Sequence, residues 1–283
     1  MLTQAQIEEI VARALAEDIS QGDVTTEALI PHDQQGRAYL VVKASGVLAG
    51  VVVANEVFRR VDPEIEVEIL IQDSTIVQSG DIIIKISGRI SSILKAERTA
   101  LNFLQRLSGI ASGTHRFVEA VQGLPVHILD TRKTTPGLRL LEKYAVRVGG
   151  GKNHRMNLGE NILIKDNHIA ALRNQDLNIK DIVVKAQQNA AQRLKIEVEV
   201  KTVPEAAEAA EAGANIIMLD NMSLEDMRKA VEIIHSRALI EASGGMTLDR
   251  VRAVAETGVD FISIGALTHS AKALDISLEL EEG

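Results

Sequence analysis

The feature that most constrains the fold of this chain is a rhythm that begins after residue 121, where short apolar runs alternate with helical stretches. The runs are VHIL (126–129), NILI (161–164), IEVEV (196–200), NIIML (215–219), ALIEA (238–242) and FISIG (261–265). Each has the length of a strand, and the segments between the later ones carry helix punctuation. In PEAAEAAEAG, Pro204 suits a first turn and Gly213 a terminus, and in SLEDMRKAVEIIHS, Ser223 stands three residues before Asp226 as an N-cap. Repetition of strand and helix predicts parallel strands joined by crossover helices. Six strands fall short of a complete barrel, so the expected class is α/β, with an open or irregular α/β barrel.

The residues before this rhythm read differently. Thr3 to Glu17 place Ile7, Ile10, Val11, Ala14 and Leu15 on one helical face, and a GDVTT loop follows. RAYLVVKA, EIEVEILI and DIIIKIS then read as strands, with a helical insert near Asn55 to Arg60. Ser91 to Val121 reads as mainly helical, interrupted around Gly109 and Gly113. The expected organisation is a smaller α+β domain over 1–108, joined by the tail 271–283, and a barrel over 109–270.

Composition narrows the function. The chain of 283 residues has a net charge of -8 and 2% aromatic residues, which supplies neither a basic field for phosphate backbones nor stacking platforms for bases, so no nucleic-acid partner is expected. The longest apolar run, Val47 to Ala54, is well short of the ~18 residues that span a bilayer, so no membrane association is expected either. There is no cysteine, hence no disulfide or thiolate chemistry, and the expected setting is cytoplasmic. Against the acidic whole, Asp130 to Ala170 holds eight Lys or Arg and four acids. A local cationic island suits a small anionic ligand.

Polar or glycine residues close every strand: Asp130-Thr131-Arg132-Lys133, Lys165 to His168, Glu199 and Lys201, Asp220-Asn221, Ser243-Gly244-Gly245, and Gly265. Carboxyl ends of barrel strands converge on one mouth, where catalytic groups gather. Any one of these positions alone is ordinary loop polarity; six behaving alike point to a site. The last two loops, Ser243 to Gly245 and Gly265-Ala266, offer backbone N–H groups for a phosphate, although either alone is equally a tight turn. Gly149-Gly150-Gly151-Lys152 lacks the spacing of a nucleotide-binding P-loop. Arg132, Lys133, His154, Arg155 and Lys165 lie beside strand ends and suit a polyanion, whereas Arg139, Lys143 and Arg147 recur every four residues and read as a solvated helix face. Glu199 and Asp220 fit a divalent cation on a pyrophosphate, or ribose hydroxyls, or plain salt bridges. Glu197 is assigned to the barrel wall. His115, His127, His168, His235 and His269 form no metal-ligand pair at helical spacing.

Taken in order, ERTALN (97–102), DTRKTTPGLR (130–139), GGGKNHR (149–155), IKDNH (164–168), EVEV (197–200), MLDNM (218–222) and EASGG (241–245) closely resemble the carboxylating nicotinate-nucleotide pyrophosphorylase, or quinolinate phosphoribosyltransferase, family. The resemblance covers nearly the whole chain. It implies conversion of quinolinate and phosphoribosyl pyrophosphate to nicotinate mononucleotide, pyrophosphate and carbon dioxide, with Mg2+. It implies quinolinate contacts from Arg132, His154, Arg155 and Lys165, with Arg98 arriving from the other subunit, Thr131 among the other substrate-binding residues, and Lys133 near the pyrophosphate. Lys133, Lys165, Glu199 and Asp220 become the catalytic set, with Glu199 and Asp220 on ribose and metal, directly or through water. Ser243, Gly244, Gly245, Gly265 and Ala266 become the 5′-phosphate site. A homodimer sharing Arg98 across its interface is also implied. Three competing readings are a related transferase of altered substrate, a Schiff-base aldolase using Lys165 or Lys201, and a non-catalytic anion-binding module.

Overall fold

The computed structural model describes residues 2–173, 177–191 and 193–281. Its elements run α1 (Gln4–Asp18), α2 (Val24–Leu29), β1 (Gln35–Val42), β2 (Gly46–Val47), α3 (Val51–Val61), β3 (Glu66–Ile69), β4 (Ile76–Val77), β5 (Ile82–Arg89) and α4 (Ile90–Ala120). The chain continues through β6 (His127–Leu129), α5 (Arg139–Val148), β7 (Ile162–Ile164), α6 (Asp166–Arg173), α7 (Ile179–Asn189), β8 (Ile196–Val200), α8 (Val203–Glu211) and β9 (Ile216–Asp220). It closes with α9 (Leu224–Ile234), β10 (Leu239–Ser243), α10 (Leu248–Ala255), β11 (Phe261–Ser263), α11 (Ala266–His269) and β12 (Ile276–Leu280). Two compact units emerge. One takes the residues up to His115, Thr134–Gly150 and those from Ala266 onward; the other takes Arg116–Lys133 and Gly151–Gly265.

In the first unit, α1 begins with a capping box in which Thr3 Oγ1 accepts from the Gln6 N–H and the Gln6 side chain accepts from the Thr3 N–H. Its buried stripe is Ile7, Ile10, Val11 and Leu15. Antiparallel strands in the order β12-β1-β5-β3 form the sheet, with Ala38 opposite Leu280 in the β1–β12 register. One expectation is corrected here: α4 runs through Gly109 and Gly113 without a break. Gly109 serves close approach instead of a turn, because a Cβ there would lie 2.1 Å from the carbonyl oxygen of Lys272. A second correction concerns α5. Lys143 is fully buried, so Arg139, Lys143 and Arg147 are not one solvated face. The adjacent Glu142 is also fully buried and accepts both Arg106 Nη2 at 2.6 Å and the Thr135 N–H at 3.0 Å.

The second unit is the α/β part. Its six strands are all parallel, in the order β6-β11-β10-β9-β8-β7, so β6, first of the six in the chain, pairs with β11, the last. Among the described residues no pairing joins β6 to β7, and the sheet stays open at that seam. Lys152 extends the β6 side there: its N–H donates to Ile128 O, and its carbonyl accepts from the Asp130 N–H. Alternation assigns the two faces. Val198, Val200, Ile217, Leu219, Ile240, Ala242 and Ile262 are buried, and they alternate with Glu197, Glu199, Met218, Asp220, Glu241, Ser243 and Ser263. Helix caps follow the local chemistry: Thr202 with Glu205 forms a capping box at α8 beside Pro204, and Ser223 Oγ accepts from the Asp226 N–H at α9.

Candidate active site

At the carboxyl ends of these strands the second unit holds a cavity of about 320 Å³, lined from β6 onward by Thr131, Arg132 and Lys133, by His154 and Arg155, and by residues of the other five strands. Nine residues expected from the sequence converge there: Thr131, Arg132, Lys133, His154, Arg155, Lys165, Glu199, Asp220 and Ser243. Gly244, Gly245 and Gly265 are not among the lining residues. Gly244 and Gly245 have φ of +93° and +55°, and a Cβ on Gly244 would meet Asn221 Oδ1 at 2.2 Å, so that turn requires glycine. Ala266 begins the four-residue α11, in the first unit. Arg98 stands on α4 in the first unit, largely exposed, its guanidinium 4.0 Å from Glu97 Oε1.

Buried Asp130, at the end of β6, sets the geometry of the loop that supplies the next two cations. Its carboxylate accepts Asn153 Nδ2 at 2.5 Å and the His154 N–H at 2.9 Å. Arg155 donates from Nη1 to Asn161 O at 2.9 Å. Burial, then the nearby charge of Arg132, lowers the Arg155 pKa. Two guanidinium groups thus share a partly desolvated space, the condition an anionic ligand relieves. His154 has both ring nitrogens engaged: Nδ1 accepts the Arg155 N–H at 2.8 Å, and Nε2 lies 3.0 Å from Glu197 Oε2.

On the opposite wall, burial and then the charge of Asp220 raise the Glu199 pKa, with Lys165 acting the other way. Two neighbouring carboxylates on one wall form an oxygen donor set that fits a hard divalent cation such as Mg2+, which takes one or two carboxylates together with phosphate oxygens. Lys201 is held elsewhere. Its Nζ is 3.1 Å from Asp166 Oδ2, and that bond raises the lysine pKa and lowers that of the acid.

The sequence reading missed Leu163, Met218, Glu241 and Ser263 as lining residues, and it misplaced Glu197. Glu197 and Glu199 are two residues apart on a regular strand and therefore share a face. The same spacing relates Leu163 to Lys165, Met218 to Asp220 and Glu241 to Ser243. Stepping two residues back from each strand-end polar group would have found three of the four missed residues, and Glu197 as well.

Family comparisons agree across the whole chain. A family model described as quinolinate phosphoribosyl transferase, N-terminal domain, matches residues 23–108, and the corresponding C-terminal domain matches 110–279. The chain is 40% identical over 279 residues to a probable nicotinate-nucleotide pyrophosphorylase (carboxylating) of Bacillus subtilis, covering 99% of this chain and 95% of that one. It is 44% identical over 287 residues to the chloroplastic enzyme of the same name in Arabidopsis thaliana, covering 96% and 82%. Among solved structures, NadC from Streptococcus pyogenes superposes with a TM-score of 0.94 at 44% identity, covering 100% of this chain and 99% of that one.

Proposed function

This chain belongs to the quinolinate phosphoribosyltransferase family, and from that premise we propose that it transfers the phosphoribosyl group of phosphoribosyl pyrophosphate to quinolinate with loss of carbon dioxide. The products are nicotinate mononucleotide and pyrophosphate, and the enzyme is a decarboxylating pentosyltransferase. The observation that carries this reading at the level of residues is the cavity itself, where Arg132, Lys133, Arg155 and Lys165 face Glu199 and Asp220. An aldolase lysine would need an apolar wall around one amine, and this wall is crowded with cations.

In this reading Arg132 and Arg155 take the two carboxylates of quinolinate, with Lys165 as a third positive charge, and guanidinium forks suit planar carboxylates. Lys133 meets the pyrophosphate. Ser243 to Gly245, Gly265 and Ala266 offer backbone N–H groups to the 5′-phosphate. Glu199 and Asp220 would hold Mg2+, directly or through water, and also face the ribose; when bound, the ion offsets charge that gathers on the departing pyrophosphate. As that group leaves, positive charge develops at C1 of the ribose, and a carboxylate on this wall stabilises it. The pyridine nitrogen forms the new bond to C1. The adjacent pyridinium nitrogen stabilises the carbanion left on the ring carbon when the C–CO2 bond breaks, and that carbon takes a proton from solvent to complete the product.

The test is direct: purified protein, quinolinate, phosphoribosyl pyrophosphate and Mg2+ are expected to yield nicotinate mononucleotide and pyrophosphate in equal amounts, resolved by chromatography. Excess chelator is expected to lower the rate at least about tenfold with the circular dichroism spectrum unchanged, because such an ion relies largely on substrate phosphates. Full activity in chelator would remove Mg2+ from this reading.

We place Arg98 at the cavity of the partner subunit in a two-fold homodimer, which gives two equivalent shared sites. Its support is the family resemblance around ERTALN together with the exposure of this guanidinium. Arg98→Ala and Lys133→Ala proteins are each expected to be nearly inactive. Once mixed equally and allowed to exchange subunits, they are expected to recover roughly a quarter of wild-type sites, since half the dimers are mixed and each mixed dimer has one intact site. No recovery, with exchange confirmed by mass, would return Arg98 to its own subunit.

A further inference from the structure

Beside the acidic wall stands a residue to which the transfer chemistry gives no role. Asn221 follows Asp220 at the end of β9, and its backbone N–H donates to Ser243 O at 2.9 Å, just past the last β9–β10 pair, Asp220 with Ser243. There the chain turns into the left-handed region, with φ of +54° at Asn221. Asparagine is one of the few residues with a side chain that enters this region readily. The side chain then reaches back, and Nδ2 donates to Asp220 Oδ1 at 3.0 Å. No other hydrogen bond reaches the Asp220 carboxylate among the described residues.

The same amide fills a space that glycine leaves open. A Cβ on Gly244 would lie 2.2 Å from Asn221 Oδ1, 2.4 Å from Cγ and 2.7 Å from Nδ2, so the amide occupies the place of a side chain at 244. The following residue is pinned from α10, where Arg250 Nη2 donates to Met222 O at 2.9 Å. One planar group thus touches both the acid that ends β9 and the glycine turn that follows β10.

We propose that Asn221 is a positioning residue whose amide holds the Asp220 carboxylate in one orientation and at a fixed spacing from the Ser243–Gly245 turn. The inference rests on the reading above, in which Asp220 holds Mg2+ and that turn takes the 5′-phosphate. Phosphoribosyl pyrophosphate carries a charged group at each end of one ribose, so two contacts on it act together only when the distance between them is preset. A carboxylate anchored through Oδ1 presents Oδ2 to a cation without first losing rotational freedom. A residue needed only to make the turn would be replaced without loss by glycine, which enters the left-handed region at least as easily.

That difference is the test. Calorimetric titration of the full chain with phosphoribosyl pyrophosphate, with no quinolinate present, measures binding without turnover. Wild type is expected to bind it at least about tenfold more tightly in Mg2+ than in excess chelator. In Asn221→Gly the affinity in Mg2+ is expected to fall about tenfold, the scale of a lost hydrogen bond to a charged group, and the affinity in chelator to stay within about twofold. The melting temperature is expected to stay within about 2 °C, since glycine adds no strain to the turn. Asn221→Ala is expected to share the loss of affinity and also to melt lower, because its Cβ strains the left-handed backbone. Quinolinate titrated alone is expected to bind all three proteins alike, because its cations lie on the other wall. Undiminished Mg2+-dependent binding in Asn221→Gly would reduce Asn221 to a turn residue and overturn the proposal. An equal loss of quinolinate affinity would overturn it as well, as general damage to the site. If wild type gains nothing from Mg2+, the metal assignment itself fails and takes this proposal with it.

Discussion

Nicotinate offered in place of quinolinate is expected to react with a kcat/KM lower by about a thousandfold or more. The expectation comes from counting charges in the cavity. Arg132 and Arg155 sit close enough for the first to lower the pKa of the second, burial acts in the same direction, and Lys165 lines the same wall. In the proposed reading, quinolinate brings two carboxylates, one for each guanidinium group. Nicotinate brings one, excludes much of the same water, and leaves a desolvated cation facing a C–H. Leaving a buried charge unpaired costs about 3–5 kcal/mol, and each 1.4 kcal/mol is about a factor of ten in rate or affinity. Parallel assays at fixed phosphoribosyl pyrophosphate and Mg2+ measure the ratio; efficiencies within tenfold of each other would show that the second carboxylate is not read by these partly buried cations.

The second large effect concerns stability. Glu142 Oε1 receives Arg106 Nε at 3.1 Å and Nη2 at 2.6 Å, and the same Nη2 reaches Thr135 Oγ1 at 3.0 Å and Thr268 O at 2.7 Å. The network ties α4, the α5 segment and the C-terminal segment of the first unit at one point. Arg106→Ala leaves a fully buried carboxylate with a backbone N–H as its remaining recorded partner, and is expected to cost about 3–5 kcal/mol in urea unfolding. The paired variant Arg106→Met with Glu142→Leu is expected to recover most of that loss, because removing both charges also removes their desolvation cost. A single-variant cost below about 1 kcal/mol would mean that water reaches Glu142 when Arg106 is gone.

Residues whose placement follows from local pattern were legible in the sequence. The six runs became six parallel strands, since apolar runs of that length between helices have few other solutions. The convergence of Arg132, Lys133, Lys165, Glu199 and Asp220 followed from strand polarity, and that of Arg155 from the local cationic island. Where tertiary packing decided, pattern reading fell short. Gly109 looked like a helix breaker because propensity marks glycine as weak, yet the approach of Lys272 makes it necessary. Lys143 looked solvated because its spacing matched Arg139 and Arg147, and no local pattern reveals a charge buried inside the first unit. Glu241 was hidden inside the apolar run ALIEA (238–242), between Ile240 and Ala242 on the opposite face of the strand. A polar residue one pleat below a strand end is a signal that was present and can be sought deliberately.

The order of the barrel sheet sets a schedule for the growing chain. His127 to Leu129 form β6, yet their strand partner is Phe261 to Ser263, more than a hundred residues later. While translation proceeds, β7 through β10 can zip up neighbour by neighbour, and β6 must wait with an unsatisfied edge. The first unit waits longer still, because β1 gains one of its flanking strands only when β12 has emerged. Both units therefore finish late, with pairings of high sequence separation, the kind that slows folding and prolongs exposure of sticky edges. A ribosome-bound fragment that stops before β11 would leave β6 without its partner strand and β1 without β12 at once, a state in which chaperone binding should be strongest.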